Sequence, residues 1–167
     1  MKLPESFTKE GHLNVIIETP RSSRNKFTYD ETTQLFKLKK VLPFGTSFPI
    51  DMGFIPYTKA EDGDLFDVFV FMNGLTFPGC LVECRPLGII EAEQSDGTNV
   101  FRNDRIVAVP IASKDYDNLT NIEDLNATTL ADLINFCIYY NEMEGRTFVV
   151  KGMKGSEDAI TAINAKR

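Results

Sequence analysis

Glu61-Asp-Gly-Asp-Leu-Phe-Asp67, running straight into Val68-Phe-Val-Phe-Met72, is the stretch around which the rest of the chain is organised. Three aspartates fall within six residues, and carboxylates this close repel one another unless a cation answers them. In an extended segment Asp62 and Asp64 share one face, because side chains alternate with period two, and Asp67 points the other way. A bend near Leu65-Phe66 would bring all three together, and Gly63 gives the backbone the freedom to start one. Two readings stay open on the segment alone: a metal-binding acidic loop, or a solvated acidic turn, each leading into a buried strand. An EF-hand is excluded, since its fifth and sixth positions would be Phe66 and Asp67 rather than an oxygen ligand and a glycine.

Upstream, Leu13-Asn-Val-Ile-Ile-Glu18 reads as a strand. Lys26-Phe-Thr-Tyr29 and Leu35-Phe-Lys-Leu-Lys-Lys-Val41 alternate as a hairpin joined through Asp30-Glu-Thr-Thr33. Met52-Gly-Phe-Ile-Pro56 is a short extended piece before the acidic stretch. Downstream, Val68 to Met72 is a strand. A long strand from Cys80 to about Glu93 is bent near Arg85-Pro86, Gln94 to Asn99 is a polar loop, and Arg105 to Ile111 is a further strand. Many short strands with turn signals between them predict a barrel or sandwich. The period then changes. Leu130, Leu133, Ile134, Cys137, Tyr140 and Met143 recur at helical spacing over Thr128 to Glu144, with Asn126 or Thr128 as the cap. Thr147 to Met153 is a closing strand. Ser156 opens a short helix whose acidic start and Lys166-Arg167 end suit the helix dipole. With no repeat and no linker, residues 1–167 read as one α+β domain.

The composition narrows the chemistry. The chain has 167 residues, 43% hydrophobic and 25% charged, which suits one domain with a real core. Acidic residues number 24 against 18 basic ones, a net charge of −6, so non-specific nucleic-acid binding is not expected. No apolar run is long enough to span a membrane, and the first residues carry no secretory h-region, so a cytoplasmic location is expected. Cys80, Cys84 and Cys137 read as reduced thiols; the first two lie roughly 13 Å apart along one strand, beyond disulfide reach. His12 is the only histidine. That excludes multi-histidine zinc sites and histidine-based triads. Catalysis must then run on carboxylates, Lys, Arg, Tyr and hard cations with oxygen ligands, such as Mg²⁺.

Read in order, Ile17-Glu-Thr-Pro20, Ser23-Arg-Asn-Lys26, Leu35-Phe-Lys-Leu38, Gly53-Phe-Ile-Pro56, Glu61 to Val68, Phe77-Pro-Gly79, Arg85-Pro-Leu-Gly88 and Val107-Ala-Val-Pro110 resemble the soluble inorganic pyrophosphatases of family I. The match runs from about Val15 to Gly152. It implies an α+β fold, a five-stranded OB-like β-barrel with flanking α-helices. It also implies hydrolysis of pyrophosphate to two phosphates with several Mg²⁺ ions, which neutralise phosphate charge and lower the pKa of a bound water. A homo-oligomer is expected on the same ground. By this resemblance Asp62 and Asp67 match metal ligands, and Asp64 matches the general base. Glu18 matches an acidic residue of the metal–water shell, and Lys26 and Tyr140 match phosphate contacts.

Other positions depart from the pattern. Thr28 stands for a glutamate, and Lys40 for a phosphate-gripping arginine, keeping the charge without the fork. Phe48 and Met52 replace two tyrosines. Gln94 or its neighbours stand at one metal-binding aspartate and Asn103 at another, Arg105 replaces a lysine at a phosphate-binding position, and Asn141 replaces another lysine. Asp96 or Asp104 is a candidate for a missing carboxylate. Two further readings follow from these changes. One is a catalytically impaired fold that binds a phosphorylated ligand or a protein partner. The other is hydrolysis of a different phosphoanhydride in a pocket made more apolar by Phe48 and Met52.

Overall fold

The computed structural model describes residues 2–61 and 63–167. The strands are β1 (Leu13–Thr19), β2 (Asn25–Asp30), β3 (Leu35–Val41), β4 (Asp51–Ile55), β5 (Phe66–Val70), β6 (Leu81–Ser95), β7 (Val100–Arg102), β8 (Arg105–Pro110) and β9 (Thr147–Gly155). The helices are α1 (Ala127–Glu142) and α2 (Ser156–Ala165). Hydrogen bonding follows the order β1-β4-β5-β8-β6, and β6 pairs back with β1, closing a ring of five strands. This is the expected OB-like barrel. The remaining strands hang on it: β7 and β9 extend β6, and β2 and β3 form a separate hairpin.

Period-two alternation sorts each barrel strand into two buried rows. One row, with Val15 and Ile17 of β1, Val68 and Val70 of β5 and Ile106 and Ala108 of β8, packs with Ala159 and Ile163 of α2. The other, with Phe69 of β5, Ile90 and Ala92 of β6 and Val107 and Val109 of β8, packs with Leu133 and Cys137 of α1. Because both faces are covered, β1, β4 and nearly all of β8 are buried throughout. The α1-side row then runs out into polar residues at one end of the barrel: Asp67 two positions before Phe69, Gln94 two after Ala92, Arg105 two before Val107. That change from apolar to polar along a single face is what makes a site there.

The helix α1 starts where expected, with the Asn126 side chain accepting from the backbone N–H groups of Thr128 and Thr129. Three differences from the sequence reading bear on the site. Strand β5 begins at Phe66 rather than Val68, because the turn is already complete before Leu65: Gly63 has φ 87 and its N–H bonds Ala60 O. Asp67 therefore stands on a strand, paired with Phe54. Gln94 and Ser95 belong to β6 rather than to a loop, since Gln94 pairs with both Phe101 and Phe148. Strand β7 was not expected; it is the return of that hairpin. The bend near Arg85-Pro86 is present as a register shift between Pro86 and Gly88. All three cysteines are free thiols, and burial pushes Cys137 up to about 12.

Candidate active site

A cleft of 340 Å³ opens at the polar end of the barrel. Glu18 of β1, Lys26 and Thr28 of β2, Met52 of β4 and Asp67 of β5 line it, joined by Gln94 of β6 and Arg105 of β8. Asp64 comes from the turn before β5, and Tyr140 and Asn141 come from α1. Asp62 was expected as a metal ligand here and lies outside the described residues.

Glu18 and Lys26 form a buried pair at the base. Lys26 Nζ lies 3.3 Å from Glu18 Oε2, and their side chains are 7% and 9% exposed. Glu18 Oε1 accepts from the Tyr29 backbone N–H at 2.6 Å and the Thr28 hydroxyl at 3.2 Å. Both oxygens of this carboxylate are thus engaged inside the protein. Burial raises its pKa, nearby Lys26 pulls it back down, and Asp67 raises it again. Lys26 Nζ also lies 3.5 Å from Met52 Sδ.

Asp67, Arg105, Asn103 and Gln94 form a row along another wall. Arg105 Nη1 is 2.9 Å from Asp67 Oδ2. The same nitrogen donates to Asn103 Oδ1. Asn103 Nδ2 donates to Gln94 Oε1 at 2.5 Å. Asn141, where a lysine was noted as missing, is buried and donates to Cys137 O at 2.8 Å.

The expected residues Glu18, Lys26, Asp64, Asp67, Arg105 and Tyr140 are brought to one cleft, and Lys40 is not. Hairpin pairing matches Lys26 with Lys40 and Phe27 with Leu38, so Lys39 is the extra residue of a bulge, and Lys39 lines the cleft. Lys40 instead pairs with Glu144 at 2.7 Å and sits 3.9 Å from the Tyr140 ring centroid. Burial lowers the Lys40 pKa, and Glu144 works against that. Burial also raises the Tyr140 pKa. Phe48 packs in the core against Phe136 and Tyr140, so of the two lost tyrosines only Met52 changes the cleft wall. Asp104 does not replace a missing carboxylate. Its Oδ1 accepts from Ala92 N at 3.0 Å and its Oδ2 from Arg102 at 2.9 Å, outside the cleft. Asp96 does reach the cleft, with Oδ1 held by the N–H groups of Thr98 and Asn99. Sequence reasoning missed Lys39, Glu31 and Arg146. The Lys39-Lys40 doublet was the only signal for the first; nothing local marks the other two.

The comparisons with known proteins bear on this cleft and the barrel that carries it. Residues 15–167 match the family model described as inorganic pyrophosphatase. The chain belongs to the inorganic pyrophosphatase family. A protein of Synechocystis named inorganic pyrophosphatase is 37% identical over 155 residues, 93% of this chain and 89% of that one. One of Sulfolobus acidocaldarius with the same name is 33% identical over 166 residues, 98% and 94% of the two chains. The crystal structure of the Thermus thermophilus inorganic pyrophosphatase superposes with a TM-score of 0.89 at 28% identity, covering 99% of this chain and 94% of that one. The solved structure of an inorganic pyrophosphatase from Coxiella burnetii gives 0.88 at 28% identity, with 98% and 97% covered.

A family that generally uses divalent metal calls for oxygen donors. Among the described residues, no three His, Cys, Asp or Glu side chains converge on a cation site. The donor chemistry divides the cleft in two. Asp64 and Asp67 suit a hard cation, whereas the Gln94–Asn103 wall offers neutral amides whose oxygens already face N–H donors.

Proposed function

We propose that this chain hydrolyses inorganic pyrophosphate to two phosphates with Mg²⁺ as its metal. Family membership supports the reading. The observation that carries it is that Asp64 and Asp67 share one cleft with four cationic side chains, Lys26, Lys39, Arg105 and Arg146. When bound, Mg²⁺ neutralises phosphate charge and acidifies water. Asp62 and Asp67 would hold it. Asp64 takes the proton of the attacking water. Lys26 and Arg105 face the phosphoryl oxygens, and charged hydrogen bonds from such groups stabilise the charge that moves to the leaving phosphate. Glu18 acts by holding Lys26 in place rather than as a metal ligand, since both its oxygens are engaged. The same reading carries a cytoplasmic homo-oligomer, for which the strongly exposed Phe44, Leu75 and Phe77 supply apolar surface. Light scattering at the monomer mass would overturn that part. Phosphate release from pyrophosphate, measured with Mg²⁺ and with EDTA, tests the activity. Metal-dependent release supports it; release no faster than the uncatalysed rate at high protein concentration leaves a fold that only binds.

A further inference from the structure

The row from Asp67 to Gln94 has a direction forced by chemistry. A guanidinium carries only donors. Asn103 must therefore turn Oδ1 toward Arg105, which leaves Nδ2 facing Gln94, and Gln94 must answer with Oε1. Each amide oxygen at this wall is thereby aimed at an N–H group. The amides are 5% exposed, the Arg105 side chain 12% and the Asp67 side chain 21%, so the row is largely shielded from water. A divalent cation needs oxygen lone pairs, and here it would find them engaged and a fixed positive charge among them. The charge of the cleft agrees. Among the described residues, four cationic side chains, Lys26, Lys39, Arg105 and Arg146, nearly balance five carboxylates, Glu18, Glu31, Asp64, Asp67 and Asp96.

We propose that Arg105 is a built-in cation at this wall, standing where a divalent ion would otherwise sit between Asp67 and the Gln94–Asn103 pair. Metal binding is confined to the side of Asp67 away from Arg105, and an anionic phosphate at the Arg105 wall is met directly by the guanidinium. Only the identity of that anion rests on the function proposed above. The metal part stands on the row itself.

The test uses Mn²⁺ and inorganic phosphate on the intact protein, without substrate. Titration with Mn²⁺, followed by the electron paramagnetic resonance of the free ion, counts equivalents bound. Asn103→Asp with Arg105→Ala should bind one more equivalent than the parent chain, since it frees Asp67 and adds a carboxylate beside it. Equal counts in two folded proteins overturn the proposal. In EDTA the parent chain should bind inorganic phosphate, Arg105→Ala should weaken that binding at least tenfold, and Arg105→Lys should recover part of it. Should the double variant fail to fold, the phosphate arm decides: no phosphate binding by the parent in EDTA, or an unchanged Kd in Arg105→Ala, overturns it. If these results hold while pyrophosphate is not hydrolysed, the function fails and the built-in cation remains.

Discussion

Replacing Lys26 by Met tests how the base of the cleft is held together. The side chain keeps most of its volume and loses its charge, leaving Glu18 buried without the cation 3.3 Å away. Removing one partner of a buried ion pair costs roughly 3–5 kcal/mol, because the surviving charge is uncompensated. Glu18 keeps its bonds from Tyr29 and Thr28 and can escape by taking up a proton, which places the expected loss near the lower end, about 3 kcal/mol at pH 8. For a chain of this size about 1 kcal/mol lowers Tm by about 2–4 °C, so Tm should fall by about 6–12 °C. The pH dependence has a definite sign. Burial already holds the Glu18 pKa above its ordinary value of 4.5, and Lys26 is the main influence pulling it down. Without Lys26 the folded pKa rises further. A group with a raised folded pKa contributes stability that is complete below the unfolded value and is lost as pH rises through the folded one. The Lys26→Met loss should therefore be smaller at pH 5 than at pH 8. Urea and thermal denaturation at both pH values measure it, with Glu18→Gln/Lys26→Met as the control. That double variant should lie within about 1 kcal/mol of the parent, since removing both charges removes the orphan. A single-variant loss below about 1 kcal/mol at pH 8, or a double variant as unstable as the single, would refute the reasoning.

Three other outcomes are expected. Asp64→Asn should lower kcat for phosphate release by about 10²–10⁴-fold with Tm nearly unchanged, because the residue is exposed and acts on the proton of water; undiminished turnover would remove Asp64 as the base. Gly53→Ala should destabilise by about 2–3 kcal/mol in urea. Its Cβ would lie 2.3 Å from the Ile16 carbonyl oxygen, and a backbone atom of the neighbouring strand cannot swing aside. Asp51→Asn should gain on the parent as pH rises from 4 to 7. Burial raises the Asp51 pKa, with Arg21 N–H and the Thr76 hydroxyl opposing it, and Oδ2 is buried without a hydrogen-bond partner. The parent thus loses stability as Asp51 ionises, and the amide does not. A difference between the two that stays constant with pH would contradict this.

Much of the barrel is legible in the chain because its signals are local. A short apolar run marks β1, and period-two alternation marks β2 and β3. Helical spacing and an Asn cap mark α1, and Gly63 marks the turn before β5. The ordered motifs around Asp64 and Asp67 also carry the family and the location of the cleft. What local pattern could not choose was the partner of each residue across strands. Lys39 and Lys40 are equivalent in sequence, and only the bulge opposite Lys26 puts Lys39 in the cleft. Asn103 and Asp104 are adjacent, and only pairing of β6 with β7 and β8 turns Asn103 to Gln94 and Asp104 to Arg102. Asp67, Arg105 and Gln94 lie on three different strands. A register shift of one residue would have flipped any of them to the opposite face. The sequence alone therefore determined which chemistry was present and near which strands. Tertiary structure decided which of those groups touch, because hydrogen-bond register between distant segments is a non-local quantity that no single strand contains.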